Sequence, residues 1–375
     1  DQQTKRNLGL FTDRQSNGMP ASLLGVIDRT NTSMGGRLLR KWIGQPLIDL
    51  EALENRQDAI ESLYVNQMSR DDAISHLKQI PDLERLLNRI AIGIAIPRDM
   101  LALRKGLLAS GNLKHVLQNV TRFPTEVTST LDSCDGINDL ILGALEESLE
   151  GHLGQGWFIR IGFSVDLDSL KKTYSESIEY VASLERLERE RTGIKSLKVG
   201  YNRVFGYYIE VSNVNLAQVP SDYSRRQTLV NGERFITPDL KEYEATILNT
   251  YDRIKELEAN LFRDICSQVT EYQESIKGTA NAVAQIDLFA SLAHVAALYN
   301  YVRPKLTNDD SIEIEKGRHP VVERLISYGS FVPNDTLLDN INTQVVLLTG
   351  PNMAGKSTYI KQVGLIVMLA QIGSF

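Results

Sequence analysis

The sequence predicts a multidomain, mainly α-helical chain with a small β module set between two long helices and an α/β portion at its end. Three observations predict it. Apolar residues recur at three- and four-residue steps through most of the chain. That step shortens to two between about residues 194 and 238. A nearly all-apolar run, 344–348, leads into a glycine loop. With 375 residues, 42% hydrophobic and 23% charged, the chain is long enough for two or three cored domains and too apolar for disorder.

Composition sets further limits. No uncharged apolar run of about 18 residues occurs, so no bilayer span is expected. Residues 1–6 offer no apolar stretch and no cleavage site, so export is not expected. Cys134 and Cys266 lack metal-ligand spacing and are expected as buried apolar residues in a reducing cytosol. A net charge of −6 speaks against a uniformly basic nucleic-acid binder, though a local basic surface remains compatible with it. With no initiator Met and no element closing the last helix, the chain reads as a fragment of a longer protein.

Residues 1 to about 150 are expected to be helical, with Leu38, Leu39, Trp42 and Ile43 on one face and with Pro81 and Pro97 at helix starts. A first long helix is expected from about 168 to 191, with Leu170, Tyr174, Ile178, Val181, Leu184 and Leu187 along one side. Its charge run at 184–191 fits a solvated face laced with i,i+3 and i,i+4 pairs. In the β module Tyr207, Ile209 and Val211 alternate with Tyr208 and Glu210, and 227–236 reads as a hairpin turning at Asn231-Gly232. A second long helix is expected as one piece from about 239 to 277, about 60 Å in length. From about Tyr301 the chain turns α/β, with 344–348 as a strand buried inside a parallel sheet.

The sharpest motif is Gly350-Pro351-Asn352-Met353-Ala354-Gly355-Lys356-Ser357, which fits G-x-x-x-x-G-K-[ST] between that strand and a helix. Phosphate chemistry needs this layout, because backbone N–H groups of a glycine-permitted loop converge at a helix N-terminus. Lys356 would reach the β- and γ-phosphates and the Ser357 hydroxyl would bind Mg²⁺. A chance glycine turn is the alternative, and the flanking strand and helix disfavour it. The 18 residues after Ser357 contain no Asp or Glu, so the carboxylate that hydrolysis requires is missing from them. Upstream, Phe331 reads on residue chemistry as core before base-stacking, and His319 as a satisfied loop histidine.

The β module is the second candidate. Residues 193–240 hold six basic side chains (Lys195, Lys198, Arg203, Arg225, Arg226, Arg234) against Glu210, Asp222, Glu233 and Asp239. The net of +2 leaves −8 on the rest of the chain, a distribution suited to phosphate-backbone contact. An ordinary solvated hairpin fits the composition equally well. Tyr201, Phe205, Tyr207 and Tyr208 fit the core of so small a module better than a base-stacking surface.

Taken together these motifs resemble the MutS family of DNA mismatch-repair ATPases, the bacterial branch most closely, over nearly the whole chain. The resemblance rests on Ser22 to Thr30 with Met34-Gly35-Gly36-Arg37, on Pro81-Asp82-Leu83-Glu84, and on Lys198 to Asn202 with Gly206 to Val211. It extends through Arg226 to Phe235, Gly317-Arg318-His319-Pro320 and the phosphate loop. It implies a core with lever helices (1–183 and 241–302), an inserted clamp (184–240) and the start of an ABC-type ATPase (303–375). It also implies ATP and Mg²⁺ as cofactors and movement along mismatched double-stranded DNA driven by ATP. A homodimer, a downstream factor of the MutL type, and a cytoplasmic, nucleoid-associated location follow, with no membrane. Phe331 and Val332 match the positions that hold the adenine, which reverses the core reading of Phe331. Lys198, Arg203, Arg225, Arg226 and Arg234 become DNA-contact candidates. Ala354 departs from the family's paired glycines. The mismatch reader, connector, Walker B carboxylates, signature loop and switch histidine are absent from the chain, so it is expected to be inactive alone as an ATPase.

Two alternatives carry weight. A paralogue without the mismatch reader, acting on recombination intermediates, also fits the missing N-terminal part; the clamp residues Lys198 to Phe235 speak against it. A coiled-coil structural chromosome ATPase would need far longer arms than roughly 40 residues, and no β module at their tip.

Overall fold

The computed structural model describes residues 1–11, 22–147, 157–202, 206–327, 329–352 and 354–375. The expectations for Arg203, Phe205 and Met353 fall outside them. In chain order the helices are α1 (Gln2–Asn7), α2 (Leu23–Ile27), α3 (Ser33–Gly44), α4 (Leu50–Val65), α5 (Gln67–Leu77), α6 (Leu83–Ala91) and α7 (Pro97–Gln118). Then come α8 (Thr125–Thr130), α9 (Asp135–Ala144) and α10 (Val165–Thr192), followed by the strands β1 (Lys198–Asn202), β2 (Gly206–Ser212), β3 (Ser224–Thr228) and β4 (Gly232–Ile236). The remainder is α11 (Pro238–Glu271), α12 (Gln273–Tyr299), β5 (Ile312–Gly317), α13 (Val322–Leu325), β6 (Asn334–Leu338) and α14 (Lys356–Gln371). The chain packs as two units, residues 1–139 with 268–375, and residues 140–267.

The first unit is built around α12, which packs on α2, α3, α4, α5, α6, α7 and α8. Ile276, Val283, Ile286, Leu288, Phe289, Leu292 and Val295 are all buried, so every side of this helix is covered. By length and composition α12 could cross a bilayer, yet 72% of its most apolar window is buried inside the unit. The single helix expected across 239–277 is therefore two. Tyr272, at φ −93° and ψ 14°, interrupts it. No Pro or Gly marks the break, and a helix buried all round carries no apolar stripe to announce itself.

Local chemistry sets the other helix starts. Asp82 accepts from the Arg85 N–H and caps α6, so Pro81 sits one residue outside, while Pro97 is the first residue of α7. Arg37 of α3 reaches Asp82 through two hydrogen bonds of 2.7 and 2.9 Å and also bonds Glu84. Those bonds raise its pKa further and join two of the motifs that sequence alone had only set in order.

Asp287, fully buried on α12, receives the Asn31 N–H at 2.9 Å, the Thr32 N–H at 2.8 Å and the Thr32 hydroxyl at 2.7 Å. Gly35 makes room for it: a Cβ there would lie 2.3 Å from Asp287 Oδ2. The Asp28-to-Arg37 stretch is thus a loop and the first turn of α3 set about a carboxylate in the core.

At the end of the chain β5 and β6 pair antiparallel, with an irregular register between Ile314 and Gly317. Helix α14 lies against β5. Its far end docks on the helices. The Leu47 N–H donates to Gln371 O (3.0 Å), and Arg56, stacked 3.3 Å over the Trp42 ring, donates to Ile372 O (3.4 Å). Burial pushes the Arg56 pKa down to about 10, so it stays charged at neutral pH. The strand expected at 344–348 is not formed. The segment is irregular, and Val345 and Leu347 are more than 80% exposed. A parallel strand needs hydrogen-bonding neighbours at its edges, and among the described residues none pairs with it.

The second unit holds α10, most of α11 and a four-stranded antiparallel sheet in the order β1-β2-β4-β3. One sheet face presents Ile209, Val211 and Phe235 to Val181, Leu184, Leu240 and Ile247 of the helices. Leu187, expected on that helical face, is exposed instead. Here α10 meets β1 through polar groups: the Val199 N–H donates to Glu185 (3.0 Å) and Arg189 Nε donates to Leu197 O (2.7 Å). The expected pairs of the charge run are present as Arg186–Glu190, Arg189–Glu185 and Arg191–Glu188.

The β3–β4 hairpin forms, but its turn lies one residue earlier than expected. The Leu229 N–H donates to Gly232 O (2.8 Å), leaving Val230 and Asn231 at the tip, neither at positive φ. Gly232 serves packing instead, since a Cβ there would meet Val211 O at 2.5 Å.

Candidate nucleotide site and clamp surface

Among the described residues of the phosphate loop, the backbone angles that favour glycine fall on glycine: Gly350 at φ 145° and Gly355 at φ 87°. Gly355 is the N-cap of α14. It offers no side-chain acceptor, and the first turn holds no acidic residue. The helix therefore presents free N–H groups and the positive end of its dipole to solvent. Lys356 bends back to donate to Gly350 O and, at 2.8 Å, to Pro351 O. Its ammonium thus stands at the loop's centre, and Ser357 beside it is exposed. This donor set fits a polyphosphate. Among the described residues no group of three His, Cys, Asp or Glu side chains could hold a metal by itself.

The residues matched to the adenine lie on irregular backbone just before β6. Phe331 is half-buried and Val332 is exposed. Asn334 Nδ2 donates to Val332 O at 3.0 Å. On α14, the Tyr359 hydroxyl lies 2.8 Å from Thr336 Oγ1 and 3.3 Å from Asp335 O. Gln362 is fully buried near Gly317 with both amide atoms unpartnered. Sequence reasoning names both, with Lys361 and Gln371, only as the candidates left after Ser357 for holding the metal or placing the attacking water, and none of the four is a carboxylate.

Nearby, His319 is buried and its Nδ1 accepts from the Val321 and Val322 N–H groups (3.3 and 3.2 Å). Burial lowers its pKa, so it is neutral and internally satisfied. Arg318 donates to the Tyr299 and Asn300 carbonyls (3.0 Å each) and pairs with Glu323 (2.8 Å), tying this motif to the end of α12.

On the β module the basic candidates separate by what they already hold. Arg234 is spent: it donates to Glu210 (3.0 Å) and Gln227 (3.0 Å) and lies 4.1 Å from the Tyr208 ring. Arg225 is exposed but ion-paired with Glu233 at 2.7 Å. Arg226 stands at the irregularity between Arg225 and Gln227, and Lys198 opens the edge strand β1. Both are exposed, and among the described residues neither forms an ion pair. Gly200 lets Tyr208 lie flat across β1, because a Cβ there would fall 2.7 Å from the tyrosine hydroxyl.

Comparison with known proteins gives two family matches, MutS domain III over residues 3–293 and MutS domain V over residues 346–375. Relatives named DNA mismatch repair protein MutS match along the entire chain. That of Acetivibrio thermocellus is 44% identical over 376 residues, covering 100% of this chain and 43% of the relative. That of Halothermothrix orenii is 45% identical, covering 100% and 42%, and that of Pelotomaculum thermopropionicum is 45% identical, covering 100% and 44%. The chain thus spans less than half the length of the relatives it matches.

Proposed function

Because the chain belongs to the MutS family, we propose that it is the core, clamp and nucleotide-loop portion of a DNA mismatch-repair protein that couples ATP to movement on mismatched duplex DNA. In this reading residues 350–357 hold the triphosphate, with Lys356 on the β- and γ-phosphates and Ser357 on Mg²⁺. Phe331 and Val332 flank the base. Lys198 and Arg226 contact the DNA backbone, Arg225 contributes less, and Arg234 shapes the surface. Such contacts give position and affinity without reading sequence.

The loop geometry carries the reading: glycines at angles that favour them, an uncapped helix N-terminus, and a lysine already folded over the loop. Mg²⁺ when bound would neutralise phosphate charge, while Lys356 and the loop N–H groups bind and orient the triphosphate. Hydrolysis needs a carboxylate that residues 358–375 lack, and is assigned to the full-length protein. The pairing into a homodimer, the MutL-type partner and the nucleoid-associated cytoplasmic location are parts of the same proposal.

The test is equilibrium binding of a fluorescent ATP analogue with Mg²⁺ to the full-length protein. Saturable binding that is lost in Lys356→Ala supports the site. Binding that survives the substitution unchanged overturns it.

A further inference from the structure

We propose that Tyr359 is a positioning residue that sets the spacing between the phosphate loop and the base-holding segment, and so makes the site prefer a nucleoside triphosphate over a bare polyphosphate. The proposal rests on the nucleotide reading above and deepens it.

Tyr359 is the fourth residue of α14. Its N–H donates to Gly355 O at 2.9 Å, which ties it to the glycine that ends the loop. Its hydroxyl reaches β6, at Thr336 Oγ1 (2.8 Å) and Asp335 O (3.3 Å). Thr336 is only 5% exposed, so its hydroxyl depends on this partner. Two residues upstream Asn334 holds the Val332 carbonyl, at the segment matched to the base. A continuous chain of bonds thus runs from Gly355 through Tyr359 and β6 to Val332. Among the described residues, no other hydrogen bond joins residues 331–338 to α14.

A nucleotide gripped at both ends gains from the second grip only when the two are held at the matching distance. The phosphate loop by itself binds phosphate. The loop and the base segment together bind a nucleotide; α14 is joined to β6 through packing on β5 and, by hydrogen bonds, through the Tyr359 phenol. Removing that hydroxyl leaves every phosphate-binding group in place and loosens only the spacing.

Tyr359→Phe and, independently, Thr336→Val are made in the full-length protein, and calorimetry measures the affinities of ATP and inorganic tripolyphosphate, each with Mg²⁺. The expected result for both variants is ATP binding weakened about three- to tenfold, the worth of one hydrogen bond, with tripolyphosphate binding unchanged. If neither ligand is affected, or both weaken by the same factor, Tyr359 is structural and the proposal is overturned. A different outcome identifies failure of the underlying reading. If the unaltered protein binds neither ligand, or Lys356→Ala leaves tripolyphosphate binding intact, the nucleotide site itself is wrong and the role of Tyr359 falls with it.

Discussion

Thr32 and Asp287 are joined twice, the threonine N–H and hydroxyl both ending on Asp287 Oδ2, at 2.8 and 2.7 Å. The two residues are 255 positions apart in sequence, and the contact fastens the start of α3 to the core helix α12. Replacing Asp287 by Ala strands the Asn31 and Thr32 donors in the interior. The expected loss is about 3 kcal/mol of unfolding free energy, measured by urea denaturation. Gly35→Ala, which drives a methyl into the same carboxylate, should cost about 1–3 kcal/mol. A loss below about 0.5 kcal/mol in both variants would show that the loop is not held this way.

The same carboxylate gives stability a pH dependence of definite sign. Burial raises the Asp287 pKa above its ordinary value, and the hydrogen bonds from Asn31 and Thr32 oppose the rise only in part. The folded chain therefore keeps this proton to higher pH than the unfolded chain does. Its contribution is fully present below the unfolded pKa of about 3.9 and is lost as pH rises through the folded value. Denaturation midpoints of the parent, relative to those of Asp287→Asn, should fall as pH is raised from about 4 upward. A relative rise over that range would reverse the assignment.

Lys356→Ala removes a charge that otherwise meets phosphate. ATP affinity should drop by about thirtyfold, corresponding to about 2 kcal/mol for a charge-assisted hydrogen bond. In the full-length protein, ATP-dependent release from DNA should weaken while initial DNA binding is largely kept. Normal ATP turnover in the variant would refute the phosphate role.

The clamp arginines should differ from one another. Arg226→Glu is expected to lower affinity for matched and mismatched duplexes alike and to flatten the salt slope by about one unit. Arg225→Ala should have the smaller effect, because Glu233 already neutralises that side chain. Fluorescence anisotropy across a salt series checks both, and loss confined to mismatched DNA would overturn backbone contact.

What the sequence disclosed follows from how local each signal is. The hairpin, expected at 227–236 and found with its turn one residue earlier, and the helix starts near Pro81 and at Pro97 were legible because the residues concerned sit within a few positions of one another. The role of α12 was not. Its apolar residues face every direction, and its buried acid, Asp287, gains meaning only from Asn31 and Thr32 at the other end of the chain. The 344–348 run shows the opposite error. Its composition suits a buried strand, but strand pairing belongs to neighbours, and among the described residues there are none. Which basic residues are free on the clamp was likewise hidden, since composition counts Arg234 and Arg226 equally while Glu210 and Gln227 hold only the first.

The central place of α12 has a consequence for synthesis on the ribosome. Helices α2 to α8 are complete once Thr130 has been made, yet the helix they all pack against ends only at Tyr299, roughly 170 residues later. At about 5–20 residues per second, their apolar faces wait on the order of 10–30 s for the element that covers them. During that interval the nascent chain offers chaperones and proteases a surface that the finished protein does not possess.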